Sequence, residues 1–311
     1  MTTLVRRPAS NSHGTSRWWR RFEAPTFVLA AALYAAWAAL VYWHAAVSGV
    51  LLFIVGGYLG QLHFSLQHEA IHAMRHVPKP LRWALVWPPL NLWLPYPLYH
   101  RSHSSHHVNF HLTHPHKDTE SVYHSARAWD AYGSFRRALI GANQTLAFRM
   151  IVGPWLRLGK LARSELERMA GGDFSHVGIW RVHALSVAPI VWYVTRVSGM
   201  SVIEYLLYFI YPSMMFGALR SFTEHRWDDS PHERVAIVES NVLFGMLYLY
   251  NNLHHVHHRS PTMPWYEIPG HFRRHRAEVL IANGNFYYRG YAQIAQRYLL
   301  RPIFAPVHPR W

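Results

Sequence analysis

The chain has 311 residues, of which 50% are hydrophobic and 15% charged, so it can form one large domain. Lys and Arg outnumber Asp and Glu by 31 to 16, and the net charge of +15 indicates an anionic partner, such as a nucleic acid, an acidic carrier or substrate, or the anionic face of a membrane. The sequence contains no nucleic-acid-binding motif, which argues against a nucleic acid partner, and no cysteine, which excludes disulfides, thiolate catalysis and cysteine-ligated metal centres.

The first 25 residues are polar and basic, and we expect them to be mobile. From Pro25 to Gln67 the chain carries no Asp, Glu, Lys or Arg. One helix needs only about 20 residues to span a bilayer. This run therefore predicts two transmembrane helices, at about 27–46 and 50–67, joined by a tight turn near Ser48 and Gly49.

A second, weaker apolar hairpin extends from Ile179 to Leu219. It predicts transmembrane helices at about 179–197 and 201–219, with a turn near Ser198 and Gly199. Arg196 and Glu204 flank this turn, where charged side chains can reach water at the far membrane surface. The alternative, buried core helices of a soluble protein, poorly explains two successive apolar runs of this length.

Two further apolar stretches are predicted not to cross the membrane. Leu81–Leu98 contains four prolines, which break helical hydrogen bonding, so we expect an interfacial or re-entrant segment. Ala236–Tyr250 is short and carries Glu239, and it should pack as a peripheral element beneath the helices. The whole of 26–302 is then a single membrane domain, followed by a C-terminal tail at 303–311.

The basic residues predict the orientation. Thirteen Lys and Arg lie between Arg75 and Arg168 and eleven between Arg220 and Arg310, whereas the two proposed outer turns contain only Arg196. By the positive-inside rule, both termini and segment 73–178 should face the cytoplasm. The predicted fold is thus an all-α integral membrane protein, with four transmembrane helices in two hairpins and a cytoplasmic helical cap.

Three histidine motifs stand out among the 25 histidines: HEAIH from His68, HSSHH from His103 and HHVHH from His254. Spacings of three and four residues place side chains on one helical face. In the third motif this face includes His254, His257 and His258 but not His255. With two membrane crossings between the second and third motifs, all three lie on the same side, as does His225 at the end of the fourth helix. We therefore expect the cap to hold one histidine cluster.

Such a cluster predicts a metal site built from imidazole, which suits iron, zinc, copper and nickel alike. Surface or pH-sensing histidines are the simpler alternative, but three motifs converging on one side make it improbable. The more isolated histidines are expected to be structural or exposed. His111, His114 and His116 follow the second motif without its spacing and are assigned a supporting or loop role.

The motifs HEAIH, HSSHH and HHVHH resemble the HxxxH, HxxHH and HxxHH boxes of the membrane fatty acid desaturase superfamily, and the resemblance extends from His68 to about Pro302. It implies an O₂-dependent oxidase with two iron ions. The ligands it implies are His68, His72, His103, His106, His107, His225, His254, His257 and His258. Polar residues close to these in sequence are candidates to hydrogen-bond the imidazoles: Glu69, His100, Asp118, Glu120, Glu224, Asn251 and Asn252.

The resemblance implies desaturation of a fatty acyl chain, presented as a free acid, a CoA or carrier-protein thioester, or a lipid. Hydroxylation, ketolation and oxidative decarboxylation to a terminal alkene remain open, because they use the same type of site. The chain has no Cys, no G-x-G-x-x-G motif and no recognisable haem domain. Electrons should therefore come from a separate protein, such as a ferredoxin, a rubredoxin or a cytochrome of the b5 type.

Two other functions compete with this interpretation. His68-Glu69-x-x-His72 also satisfies the HExxH pattern of zinc proteases, some of which are integral to membranes. That interpretation leaves the other two motifs unexplained. A metal transporter would instead place its ligands at helix interruptions near the bilayer midplane, whereas these motifs lie outside the apolar runs.

Overall fold

The computed structural model describes residues 20, 22–108 and 111–311, and this part of the chain is mostly helical with almost no strand. Four helices are long and apolar enough to span a membrane: α1 (Ala24–Tyr42), α2 (Gly49–His72), α9 (Val177–Val197) and α10 (Val202–Ser221). The predicted fold class is confirmed. Most of the N-terminal segment predicted to be mobile, residues 1–19 and 21, lies outside the described residues.

The helices end close to the predicted positions, with one informative difference. Helix α2 begins at Gly49, where the Ser48 hydroxyl caps it by accepting from the Leu51 amide, but it continues to His72 rather than ending near 67. The five extra residues, His68 to His72, include two histidines and a glutamate, and all five are buried. Helix α2 therefore carries the first histidine motif beyond the apolar run and into the cap.

Small residues allow α2 and α10 to pack closely. A methyl group added at Gly57 would lie 2.5 Å from Cβ of Pro212, and one added at Gly60 would lie 2.7 Å from Cβ of Ser213. Close approach over small residues is a common way to pack helices in membranes, where apolar surface gains little from burial against another helix rather than lipid. This contact fixes the ends of α2 and α10, from which His68, His72 and His225 extend.

The proline-rich segment between α3 (Lys79–Val86) and α4 (Tyr96–Val108) re-enters the helix bundle. The Leu90 carbonyl accepts from the Tyr205 hydroxyl at 2.7 Å, and the Asn91 amide donates to the Gly60 carbonyl at 2.9 Å. Ser213 Oγ completes the contact by donating to Asn91 Oδ1 at 2.9 Å. Irregular backbone is tolerated at membrane depth where protein groups satisfy its hydrogen bonds.

The remaining elements form the cap at the end of the bundle where α2 and α10 terminate. Before α9 these are α3, α4, α5 (Ala126–Asp130), α6 (Ser134–Ala142), α7 (Leu146–Ile151) and α8 (Gly153–Ala170). After α10 they are β1 (Ile237–Val238), α11 (Val242–Leu247), α12 (His254–Arg259), α13 (Ile268–Ala282), β2 (Tyr287–Tyr288) and α14 (Tyr291–Tyr298). Strands β1 and β2 pair in parallel.

Segment 236–250 is peripheral, as its short length indicated. Its helix α11 has only six residues and is held against α2 by side chains of that helix. Tyr58 donates to the Leu243 carbonyl at 2.9 Å, and Ser65 donates to the Leu247 carbonyl at 2.8 Å. This docking places the turn that follows α11, and with it the third histidine motif, under the end of α2.

Residues 303–311, predicted as a tail, pack against the cap. The Trp311 carbonyl accepts from the Ala126 amide at 2.7 Å, and the His308 amide donates to the His124 carbonyl at 2.9 Å. The tail thereby holds down the segment after α4 that contains Asp118 and Glu120.

Candidate metal centre

The nine histidines implied by the resemblance reach one region from four parts of the chain. The last turns of α2 carry two of them, α4 carries three, α12 carries three, and His225 follows α10. In α4 and α12, spacings of three and four residues bring the selected rings into the same region.

The nine rings form two groups. Group A contains five histidines: His68, His72, His103, His107 and His257. Group B contains four: His106, His225, His254 and His258. Within each group, one nitrogen from every ring lies within 4.8 Å of those of all the others, a spacing that could hold a metal ion. The groups adjoin, because the stacked rings of His107 and His258 have centroids 4.4 Å apart.

The ring nitrogens that converge are mostly Nε2. In group A, His107 Nε2 lies 3.1 Å from that of His103 and 3.0 Å from that of His257. In group B, His225 Nε2 lies 3.1 Å from those of both His106 and His254. His107 and His225 are thus central to their groups.

Acceptors outside the groups orient the rings through Nδ1. His103 Nδ1 donates to Glu120 Oε1 and His106 Nδ1 to Asp118 Oδ1, both at 2.8 Å. His254 Nδ1 donates to Asn251 Oδ1 at 3.0 Å. A neutral imidazole that donates from Nδ1 has its lone pair on Nε2, the tautomer that binds a metal.

This arrangement suits a cation between the rings. His106 and His254 both direct Nε2 at His225 Nε2, which carries at most one proton and cannot donate to both. Facing lone pairs repel each other unless a proton or a metal ion lies between them. The donor set is entirely nitrogen, as expected for a transition metal rather than calcium or magnesium.

Burial keeps most of the rings outside the membrane helices neutral. Burial and the neighbouring histidines hold the pKa of His107, His254, His257 and His258 well below its usual value, and burial lowers the pKa of His225 to about 3. His106 differs. Burial lowers its pKa, but Glu120 and Asp118 outweigh that effect and raise it to about 9. A cation is therefore favoured beside these two carboxylates.

The structure brings some of the predicted supporting residues to the rings. Asp118, Glu120 and Asn251 bond them directly, and Asn251 Nδ2 also lies 3.4 Å from His68 Nε2. Glu224 lies farther away, with Oε1 3.7 Å from His254 Nδ1. It pairs with Arg220 at 2.9 Å. Sequence reasoning assigned no role to Arg220, because an arginine at the end of a membrane helix indicates only an interface position.

Three other predicted supporting residues have different partners. Glu69 accepts from the Trp265 amide at 3.0 Å, and Asn252 donates to the Val238 carbonyl at 2.7 Å. The ring of His100 lies against Trp83, with centroids 5.7 Å apart. These residues tie the cap together around the site. His255, which the helical face excluded, lies outside both groups.

A model of the fatty acid desaturase family matches residues 42–291, a span that contains all three histidine motifs and the three acceptors Asp118, Glu120 and Asn251. None of the curated proteins compared with this sequence matches it. The family match, the four membrane-length helices and the two histidine groups agree on a membrane oxidoreductase. Because the match covers most of its length, the chain belongs to the fatty acid desaturase family.

Proposed function

We propose that this protein is an O₂-dependent di-iron oxidase that desaturates a fatty acyl chain at the membrane surface. The observation that carries the proposal is the convergence of nine imidazoles in two adjoining groups at one end of the bundle. Each group would hold one iron ion, and family membership favours iron over the other metals that imidazole binds.

The residues fit such a centre. When bound, two iron ions with O₂ supply the oxidising power that unactivated C–H bonds require, which no side chain here provides. Asp118, Glu120 and Asn251 fix the rings through Nδ1, so that Nε2 of each ring is aimed at the metal position before binding. Glu69 is held by the Trp265 amide, which argues against the general-base role that a zinc protease would give it.

The partners follow from the chemistry and the charge. An acyl tail can reach the histidine groups from the bilayer while its polar head remains at the basic surface of the cap. The electrons would come from a separate ferredoxin, rubredoxin or cytochrome b5-type protein. The direct test is the product formed from a deuterated fatty acid when O₂ and an electron donor are supplied. Loss of two deuteriums with every carbon retained is expected.

Replacing Glu120 with alanine should weaken iron binding roughly 10- to 100-fold, the usual cost of losing a hydrogen-bond partner of a metal ligand. His103 would lose the acceptor of its Nδ1 proton and with it a fixed tautomer. Glu120→Gln keeps an acceptor oxygen and should retain most of the affinity. Competition with chelators of graded strength measures the effect.

The matched control for Glu120 is Glu278→Ala. Glu278 has a side chain 82% exposed on α13 and pairs with His275. The Glu278→Ala variant should bind iron as tightly as the unmodified protein. Equal affinity in Glu120→Ala and the unmodified protein would show that the carboxylate does not support the ligand.

We also propose that both termini and the histidine groups face the cytoplasm, because Lys and Arg are concentrated in these parts of the chain. Reporter fusions at Ser48 and Gly199 should then read as extracytoplasmic, and fusions after Lys117 and at Trp311 as cytoplasmic. A fusion after Val242 that reports the outer side would contradict this topology, because it would separate the third motif from the other two.

A further inference from the structure

A cavity of about 190 Å³ lies in the cap, and none of the nine clustered histidines lines it. Its walls come from three parts of the chain: the loop after α4, the segment between α10 and β1, and the C-terminal tail. They include His114, Arg234 and His308, one from each part. The volume is below the roughly 300–1,000 Å³ of a site for a drug-sized ligand, so an occupant must be small.

Two of these side chains are buried histidines that each have an N–H group to offer. His114 is 7% exposed and His308 is 3% exposed. The His116 amide donates to His114 Nδ1 and the Arg310 amide to His308 Nδ1, both at 3.1 Å, and the two rings make no other hydrogen bond within the described part of the chain. Burial lowers the pKa of both rings, that of His308 to about 4, so both are neutral at neutral pH. A neutral imidazole that accepts at Nδ1 carries its proton on Nε2.

This tautomer decides between a cation and an anion in the cavity. A metal ion needs a nitrogen lone pair, and in each ring a backbone N–H already occupies it. The remaining Nε2–H can only donate. The two rings therefore offer hydrogen bonds to an acceptor, unlike the rings of groups A and B.

Aromatic neighbours hold both rings in position. The His114 ring lies against that of Trp311, with centroids 4.4 Å apart. The His308 ring lies 5.4 Å from that of Tyr123 and 5.6 Å from that of Trp227. Donors that packing fixes before a ligand arrives lose little conformational entropy on binding.

Arg234 adds a positive charge to the wall of the cavity. Its Nε donates to the Asp228 backbone carbonyl at 2.7 Å, a contact that does not neutralise the charge. The two neighbouring acidic side chains have other partners, because Asp228 lies 3.6 Å from Arg226 and Asp229 pairs with Arg310. Arg234 forms no ion pair with any residue that the structure describes. A half-buried guanidinium in this situation favours an anion beside it.

We propose that this cavity binds a phosphate group, with Nε2–H of His114, Nε2–H of His308 and the guanidinium of Arg234 as donors. Three donors from three segments suit the several oxygens of a tetrahedral oxyanion, and a guanidinium matches phosphate geometry. The ligand is either free inorganic phosphate or the phosphate end of a larger molecule, which present the same chemistry. The site goes beyond the proposed function, because neither iron binding nor oxidation requires it.

The cavity adjoins the loop that supports group B. The loop that carries His114 also carries Asp118, which accepts from His106 at 2.8 Å. Arg234 Nη1 donates to the carbonyl of Leu112 in the same loop at 3.1 Å. A phosphate that contacts both His114 and Arg234 would reinforce the contact between this loop and the segment after α10. Binding should therefore raise the melting temperature of the protein.

Calorimetric titration of the purified, iron-loaded protein with inorganic phosphate, in an uncharged detergent and a phosphate-free buffer, tests the proposal. His114→Phe and His308→Phe keep a ring but remove the N–H donor. Each should weaken phosphate binding roughly tenfold or more, the scale of a lost hydrogen bond to a charged group, and should reduce the rise in melting temperature. The control, His275→Phe, removes a histidine of α13 that is 43% exposed and pairs with Glu278, and should bind phosphate as the unmodified protein does.

Iron content and circular dichroism establish that each variant is folded. If a phenylalanine variant does not fold, Arg234→Lys, which keeps the charge but loses the planar fork, should also lower the affinity. No binding of millimolar phosphate to the unmodified protein would overturn the site. Binding that the folded variants retain in full would also overturn it, because the phosphate would then lie elsewhere, for example at the iron ions.

Glycerol 3-phosphate distinguishes the two sources of the phosphate group. Affinity equal to that of inorganic phosphate, with the same sensitivity to His308→Phe, identifies the site as one for the end of a larger molecule. Markedly weaker binding identifies it as a site for the free ion. Because binding is measured without turnover, a failure of the oxidase proposal would appear in product analysis, independently of this result.

Discussion

Replacing His107 or His225 with alanine is expected to abolish oxidation and to remove iron from one group. Each ring is central to its group, with Nε2 within 3.1 Å of two other Nε2 atoms. His107→Ala leaves four rings in group A, and His225→Ala leaves three in group B. Losing a hydrogen-bond partner of a ligand typically costs about 10- to 100-fold in affinity or activity. Losing the ligand itself should cost more than a hundredfold in activity.

Iron per chain, measured by elemental analysis, and product formation are the two readouts. The unmodified protein should contain close to two irons, and each variant fewer. The matched control is His255→Ala, from the same motif as three of the proposed ligands. His255 is buried but lies outside both groups, and burial with the charge of Arg259 lowers its pKa to about 4. The His255→Ala variant should retain the iron and at least part of the activity. Stoichiometric zinc without iron, in protein never exposed to chelator, would contradict the di-iron proposal.

The four helices of membrane length were predictable because their signal is local. Long apolar runs predict membrane-length helices irrespective of what packs against them, and all four such helices lie within a few residues of the predicted positions. The end of α2 was less predictable. Residues 68–72, three of which are polar, remain helical because the surrounding cap buries them, and an apolar run cannot indicate that.

The histidine spacing identified the converging rings but not their division. His106 and His107 are adjacent in sequence, as are His257 and His258, yet each pair is divided between the two groups. Successive residues of a helix differ by about 100° in direction. Which of two neighbours faces which group depends on how α2, α4 and α12 cross, and that is tertiary information.

Tertiary structure also decides which residues near the motifs in sequence hydrogen-bond the imidazoles. Asp118 and Glu120 lie in a loop that folds back beneath α4. These residues are close to the second histidine motif in sequence, and the fold brings them into contact with its rings. Glu69 follows His68 directly, but one step along a helix turns its side chain to Trp265.

Oxidation of a deuterated long-chain acid is expected to give a product poorer by two deuteriums, with every carbon retained. Removing two hydrogens from adjacent carbons forms the double bond and supplies two of the four electrons that reduce O₂ to water. The donor protein supplies the other two. Omission of O₂ or of the donor should therefore eliminate the product entirely, and mass spectrometry of extracted lipids measures both results.

The mass of the product also separates desaturation from reactions that the same histidine groups could support. An added oxygen indicates hydroxylation or ketolation, and loss of one carbon indicates decarboxylation to a terminal alkene. Several donors and chain lengths should be compared in parallel with His225→Ala as the inactive reference. If no product appears under any of these conditions from protein with two irons, the acyl chain is not the substrate.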